Sequence, residues 1–161
     1  MNSICYESST ESAPFSKSAL DQFARQMRVD MSDFKFDDDY LQFIAVQNGG
    51  KPTEKHFDIG EGNWFTIDRF LNFSDTSVAS QSDLLFHVHH NWNDIEDRLH
   101  SGMFPFAVLG GGDYLLFSQA SGHRPEVVIW FHEKSSEDSP AVQFLAKDFA
   151  SFVGLLRPQA G

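Results

Sequence analysis

Between Phe104 and Phe131 the sequence reads FPFAVLGGGDYLLFSQASGHRPEVVIWF, and the reading of this stretch decides the fold. Phe104, Phe106 and Val108 alternate up to Gly110-Gly111-Gly112-Asp113, and Tyr114 to Phe117 return from it. Period-two alternation puts one set of side chains on one face of a strand, and glycines accept the positive φ of a tight reversal. After Gly122 and Pro125, the dense apolar run from Val127 to Phe131 reads as a third strand. Val142, Phe144 and Ala146 alternate in a fourth. Asp148 then stands where a cap is needed, ahead of a closing helix with Phe149, Phe152, Val153 and Leu156 on one face, and Pro158 stops it.

Working back from this stretch, the period changes. Leu84, Val88, Trp92, Ile95 and Leu99 fall at steps of three or four, which predicts one helix over 84–99. Phe57 and Ile59, then Phe65 and Ile67, alternate around Gly60 and Gly62 as a short hairpin. Tyr40, Leu41, Phe43 and Ile44 predict a helix capped by Asp37 or Asp38 and closed at Asn48-Gly49-Gly50. From Ser16, a further helix carries Leu20, Phe23, Ala24 and Met27 on one side. Residues 1–15 are rich in Ser, Glu and Thr and read as a mobile lead-in to a single domain over 16–158. The expected fold is α+β: a mainly antiparallel sheet with N-terminal helices, a mid-chain helix and a C-terminal helix packed on it.

Composition narrows the function. Of 161 residues, 17 are Phe, enough large rings to build a compact core without a metal or a disulfide. Cys5 has no partner in the chain, which points to a reducing compartment. No apolar run is long enough to span a bilayer, and residues 1–13 lack the basic start and apolar stretch of a secretory signal, so a cytoplasmic location is expected. Twelve basic against twenty-three acidic side chains leave a net charge of −11. Such a surface repels phosphate backbones and anionic membranes, which argues against direct nucleic-acid or membrane contact and favours a basic protein partner.

No constellation demands catalysis. His87-Val88-His89-His90 invites a metal, but on the expected helix His87 and His90 share a side while His89 points elsewhere, leaving no closed ligand set. The simpler reading is a polar helix face. In the acidic stretch of Asp30, Asp33, Asp37, Asp38 and Asp39, the run Asp37-Asp38-Asp39 lacks the alternate spacing, glycine bend and terminal glutamate of a calcium loop, and suits a helix N-terminus instead. Gly110-Gly111-Gly112-Asp113 is followed by a strand and no Lys-Ser or Lys-Thr, so it is a turn rather than a phosphate loop. Trp64, Trp92 and Trp130 all fall in apolar patterns and are expected in the core. No cofactor, no metal and no catalytic residue is expected.

Four pieces, in this order, resemble the SUKH superfamily of bacterial toxin-immunity proteins and fungal cell-wall-synthesis regulators. They are Tyr40-Leu41-Gln42-Phe43 ending in Asn48-Gly49-Gly50, Phe104-Pro105-Phe106-Ala107 running into the glycine turn, Val127-Val128-Ile129-Trp130 with His132-Glu133, and Asp148-Phe149-Ala150-Ser151-Phe152. The resemblance runs from about residue 36 to about residue 156. It departs from the family at Val108-Leu109 and at Ser118-Gln119, where acidic residues are usual. What the resemblance implies is binding without chemistry: an immunity protein that neutralises a cognate toxin by direct contact, and the net charge of −11 adds the expectation that this toxin is basic and of nuclease type. The alternative is a regulatory or scaffold domain for signalling or cell-wall-synthesis partners. On charge, the expected partner-binding residues are Asp37, Asp38, Asp39, Asp94, Glu96, Asp97, Glu137 and Asp138.

Overall fold

The glycines at 110–112 turn the chain as their spacing predicts: Gly111 and Gly112 take φ of 91° and 92°, which a side chain tolerates poorly. They sit in the middle of a computed structural model that describes residues 4–27, 34–119 and 124–161. Asp30, Asp33 and Gly122, singled out above, lie outside the described residues. In chain order the elements are α1 (Lys17–Met27), α2 (Asp38–Val46), β1 (His56–Asp58), β2 (Trp64–Phe70), α3 (Gln81–Leu85) and α4 (Val88–Ile95). A 3-10 turn at Glu96–Arg98 follows, then β3 (Met103–Leu109), β4 (Tyr114–Ser118), β5 (Glu126–Trp130), β6 (Val142–Ala146) and α5 (Phe149–Val153). The six strands lie in sequence order, each antiparallel to the one before. The α+β fold with helices at both ends of an antiparallel sheet is the one expected.

Alternation along β4 and β5 divides the core in two. Leu115, Phe117, Val127 and Ile129 face α1, α2 and α5, whose Phe23, Tyr40, Phe43, Phe149 and Phe152 fill the major face. Phe106 and Phe117 stack there with ring centroids 4.4 Å apart, and Tyr40 lies 4.8 Å from Phe117. Leu116, Val128 and Trp130 point the other way, joining Ile95, Leu99 and Met103 on a smaller minor face. Both faces are apolar because both are covered, which is why β5 reads as an unbroken apolar run. Trp130 is fully buried, whereas Trp64 and Trp92 are half-buried.

Three local expectations are corrected. The single helix over 84–99 breaks at Phe86-His87. Asn72, at the end of β2's path, intervenes: its N–H donates to the Phe86 carbonyl at 2.9 Å, its carbonyl accepts from Val88 N–H at 2.9 Å, and its side-chain amide donates to the Asp83 carbonyl at 2.9 Å. Backbone groups committed to Asn72 cannot continue a helix. The closing helix ends at Val153, well short of Pro158. Leu156 is still buried, but the chain beyond the helix turns to lie along β1, where Arg157 and His56 exchange both backbone hydrogen bonds, at 2.8 and 3.0 Å. Third, α2 ends at Val46, and Gly49 (φ 84°) lies beyond its cap. A Cβ on Gly49 would come within 2.9 Å of Asn72 Cβ and Ser12 Oγ, so close approach fixes the glycine as much as conformation does.

Residues 4–15 lie along the domain. Ile4 is buried, Tyr6 bridges Pro52 and donates its hydroxyl to the Gln47 carbonyl at 3.1 Å, and Phe15 bridges Ser74.

Candidate partner-binding surface

Three exposed carboxylates lie where α4 runs into the 3-10 turn. Val88, Asn91 and Ile95 are the buried side of α4, which leaves Asp94 outward, with His90 one turn back at 3.8 Å. Glu96 and Asp97 open the 3-10 turn and are exposed. Arg98, next in line, keeps Nε 4.0 Å from the Asp97 carboxylate while its guanidinium lies 4.8 Å over the Trp130 ring, and Trp130 Nε1 donates to the Arg98 carbonyl at 3.4 Å. A cation stacked on an indole is held by the ring's negative face.

The connection between β5 and β6 brings two more carboxylates to the same place. Ser136 and Ser139 exchange backbone hydrogen bonds across Glu137-Asp138, and Asp138 takes φ of 54°, a left-handed conformation that aspartate accepts better than most residues. Asp138 N–H then donates to the Asp97 carbonyl at 2.9 Å, fastening this loop to the 3-10 turn. Asp94, Glu96, Asp97, Glu137 and Asp138 thus form one acidic rim. Beside it lies a cleft of about 350 Å³, walled by Met27, Trp92, Leu99 and Met103 with Glu96 and Asp138 among its lining.

The other three acidic candidates go elsewhere. Asp37 is buried and unable to meet a partner: its carboxylate accepts from Tyr40 N–H at 3.1 Å and from Phe149 N–H at 3.0 Å. One side chain thereby caps α2 and ties down the start of α5, and the expectation that Asp37 is a surface charge is corrected. Asp38 is exposed and Asp39 half-exposed at the start of α2.

The histidine cluster is also rearranged. His87 is not part of a polar helix face but the buried N-cap of α4, its Nδ1 accepting from His89 N–H at 3.1 Å and its Nε2 lying 3.0 Å from the Ser74 carbonyl. Burial lowers its pKa below the ordinary histidine range, and so does burial for His89, which packs on Phe23 and Trp92. His90 stands apart and exposed. Among the described residues no three His, Cys, Asp or Glu side chains are grouped to hold a metal ion. At the glycine turn, Asp113 accepts from His132 N–H at 3.0 Å and pairs with His132 Nδ1 at 2.7 Å, with Gly112 against the imidazole. These contacts hold the turn to the end of β5.

What the sequence did not reveal is the state of β6. Val142 and Phe144 alternate as expected, yet they are 40% and 58% exposed, and only Ala146 of the set is buried. Their register partners are Trp130 and Val128, so they extend the minor face past the edge that α4 covers. Alternation tells which side chains share a face, and nothing about whether that face is covered.

A family model, SUKH_6, described as SMI1-KNR4 cell-wall, matches residues 32–153. The chain belongs to this family. SUKH domains of this kind are non-catalytic scaffold and immunity domains, and the chain is accordingly a binding protein and not an enzyme. No curated protein and no solved structure matches it. The SUKH match takes in the whole acidic rim but not α1, so Met27 on the cleft wall comes from outside the matched region. No helix among the described residues is long and apolar enough to cross a membrane.

Proposed function

We propose that the chain is a cytosolic immunity protein that neutralises a cognate toxin by direct binding, and that the toxin is basic and of nuclease type. The observation that carries this reading is the acidic rim: two separate segments deliver Asp94, Glu96, Asp97, Glu137 and Asp138 to one place, in a chain of net charge −11. A nuclease holds a polyanion in a cleft lined with Lys and Arg, and carboxylates that cannot be cleaved can occupy the same cleft. Opposite charges also speed encounter, which matters when a toxin must be captured before it acts. Asp38 and Asp39 offer a second, smaller acidic edge at the start of α2.

The test is a salt series of association rates with the toxin encoded beside this chain, paired with rescue of cells from that toxin. The rate should fall steeply as the screening length shortens to about 8 Å at physiological ionic strength, while dissociation changes less. Reversing Glu96, Asp97, Glu137 and Asp138 to Lys should slow association by about tenfold or more. A salt-independent rate overturns the electrostatic mechanism, and failure to rescue from any neighbouring toxin overturns immunity. The family's cell-wall description favours a second reading, a regulatory or scaffold domain for signalling or cell-wall-synthesis partners. Capture of such a partner in place of a toxin decides for it.

A further inference from the structure

β6 is the last strand of the sheet, and among the described residues no strand pairs with its outer edge. Phe131 N–H donates to the Ala141 carbonyl, which sets the phase of the β5–β6 ladder. Two residues on, Ile129 faces Gln143, and the intervening pairs Trp130–Val142 and Val128–Phe144 are the non-bonded ones. The N–H and C=O groups of Val142 and Phe144 therefore point away from β5, into the open. Their side chains are exposed on the minor face, next to Trp130 and its stacked Arg98.

An edge of this kind normally carries a defence: a lysine, a proline, an inward charge. The strand VQFLA has none of these within it, though Pro140 and Lys147 flank it and the ladder shifts register at Leu145, so the open stretch is Val142 to Phe144. We propose that the open edge of β6 docks an extended, basic strand of the partner, which joins the sheet as a seventh strand and lays an apolar side chain beside Val142 and Phe144. This rests on the reading of the chain as a binder of a basic protein and names the surface and the mode. Main-chain hydrogen bonds supply the affinity of such strand addition, and flanking side chains supply the choice of strand. Here the choice is set by charge. Glu137 and Asp138 lie in the loop that leads into β6, and the rim of Asp94, Glu96 and Asp97 borders the same face, while Lys134 sits over Phe131 and Lys147 follows the strand. A second copy pairing edge to edge would bring its own rim and another −11 against the first. A strand with Lys or Arg beside its apolar residues meets the opposite charge.

The probe is a hexapeptide alternating Lys and Val, titrated into the intact chain with amide hydrogen exchange as the readout. Binding should protect the Val142 and Phe144 amides. Methylating alternate peptide nitrogens, or replacing Lys by Glu, should weaken it by about tenfold or more. Phe144→Pro removes an outward N–H without breaking the β5 ladder and should abolish binding. Should that variant fold poorly, Phe144→Lys places a charge on the edge and should do the same. Absence of protection, or equal binding of the methylated or Glu peptide, overturns the proposal. So does a dimer of the free chain that Phe144→Lys dissolves, since a second copy is then the occupant. Rescue from the toxin that survives Phe144→Lys but is lost on reversing Glu96 and Asp97 overturns the strand and leaves immunity standing. Peptide binding with no rescue does the reverse.

Discussion

At one edge of the sheet, β1 is three residues long and its outer side is bonded to the chain around Arg157. At the other, β6 is five residues long, and among the described residues it pairs only with β5. Both edges carry a phenylalanine. Phe57 of β1 is fully buried, stacked 5.9 Å from Phe65 and meeting Phe152 of α5 edge-on at 5.9 Å. Phe144 of β6 is more than half exposed. Identical side chains on similar strands thus differ because Phe57 lies on the major face under α5 and Phe144 on the minor face beyond the cover of α4. The lesson is that an apolar strand residue reports a face, and the rest of the fold decides whether that face holds the domain together or is offered outward.

The most direct way to break the contrast is to open the closed edge. Phe152 fills the space between Phe57 and Phe106, so Phe152→Ala should cost about 3–5 kcal/mol, a large part of a small domain's stability. Chemical denaturation reads this directly, and an unchanged midpoint would mean that α5 is not docked as described. Next comes the clamp. Asp37→Ala leaves the Tyr40 and Phe149 N–H groups without their acceptor and should cost about 2 kcal/mol, with protection from hydrogen exchange lost at the start of α5 first.

A third test separates the two regions by pH. His87 is held neutral by burial, its folded pKa below the unfolded value of 6.5. Below that value the unfolded chain takes up a proton that the folded chain refuses, so stability falls as the pH drops through and below the ordinary histidine range. The depressed pKa of Asp148 acts only in a lower window, below the ordinary carboxylate value. Replacing His87 with Gln should partly flatten the midpoint-against-pH curve below about pH 6.5, buried His89 keeping its own share. Binding at β6, which does not involve His87, should be unchanged in the same variant. The smallest effect on folding belongs to the open edge. Phe144→Lys should change stability by about 1 kcal/mol or less, because more than half of the residue is exposed. A loss comparable to that of Phe152→Ala would erase the distinction between the edges.

Much of this architecture was legible in the sequence because its signals are local. The alternation around Gly110-Gly111-Gly112 placed β3 and β4, and the spacing of Leu20, Phe23, Ala24 and Met27 matches the buried side of α1 residue for residue. What was not legible depends on contacts made at a distance. Asn72 breaks the helix at His87 from fourteen residues before Phe86, and no apolar period records a polar side chain that far upstream. Asp37 reads as a surface charge until α5 is seen to donate to it across 112 positions. The rim was half legible: charge marked Asp94, Glu96, Asp97, Glu137 and Asp138, but only the Asp97–Asp138 backbone bond joins them. The bare face of Val142 and Phe144 had no signal at all, since covered and uncovered apolar strands have the same pattern.

The order of the strands has a consequence for how the chain reaches this state. Each strand pairs with its immediate predecessor, and except between β2 and β3, where 71–102 carries α3 and α4, each pair closes a short connection and can form early and fast. The bonds from Arg157 to His56 and from Asp37 to Phe149 join opposite ends of the domain, and they must wait until the rest is assembled. During that interval both edges of the sheet are open and equally able to recruit stray strands. The closing of β1 is then the step that leaves the molecule with one sticky side instead of two, and a mutation that delays it should show first as aggregation during refolding rather than as a loss of binding.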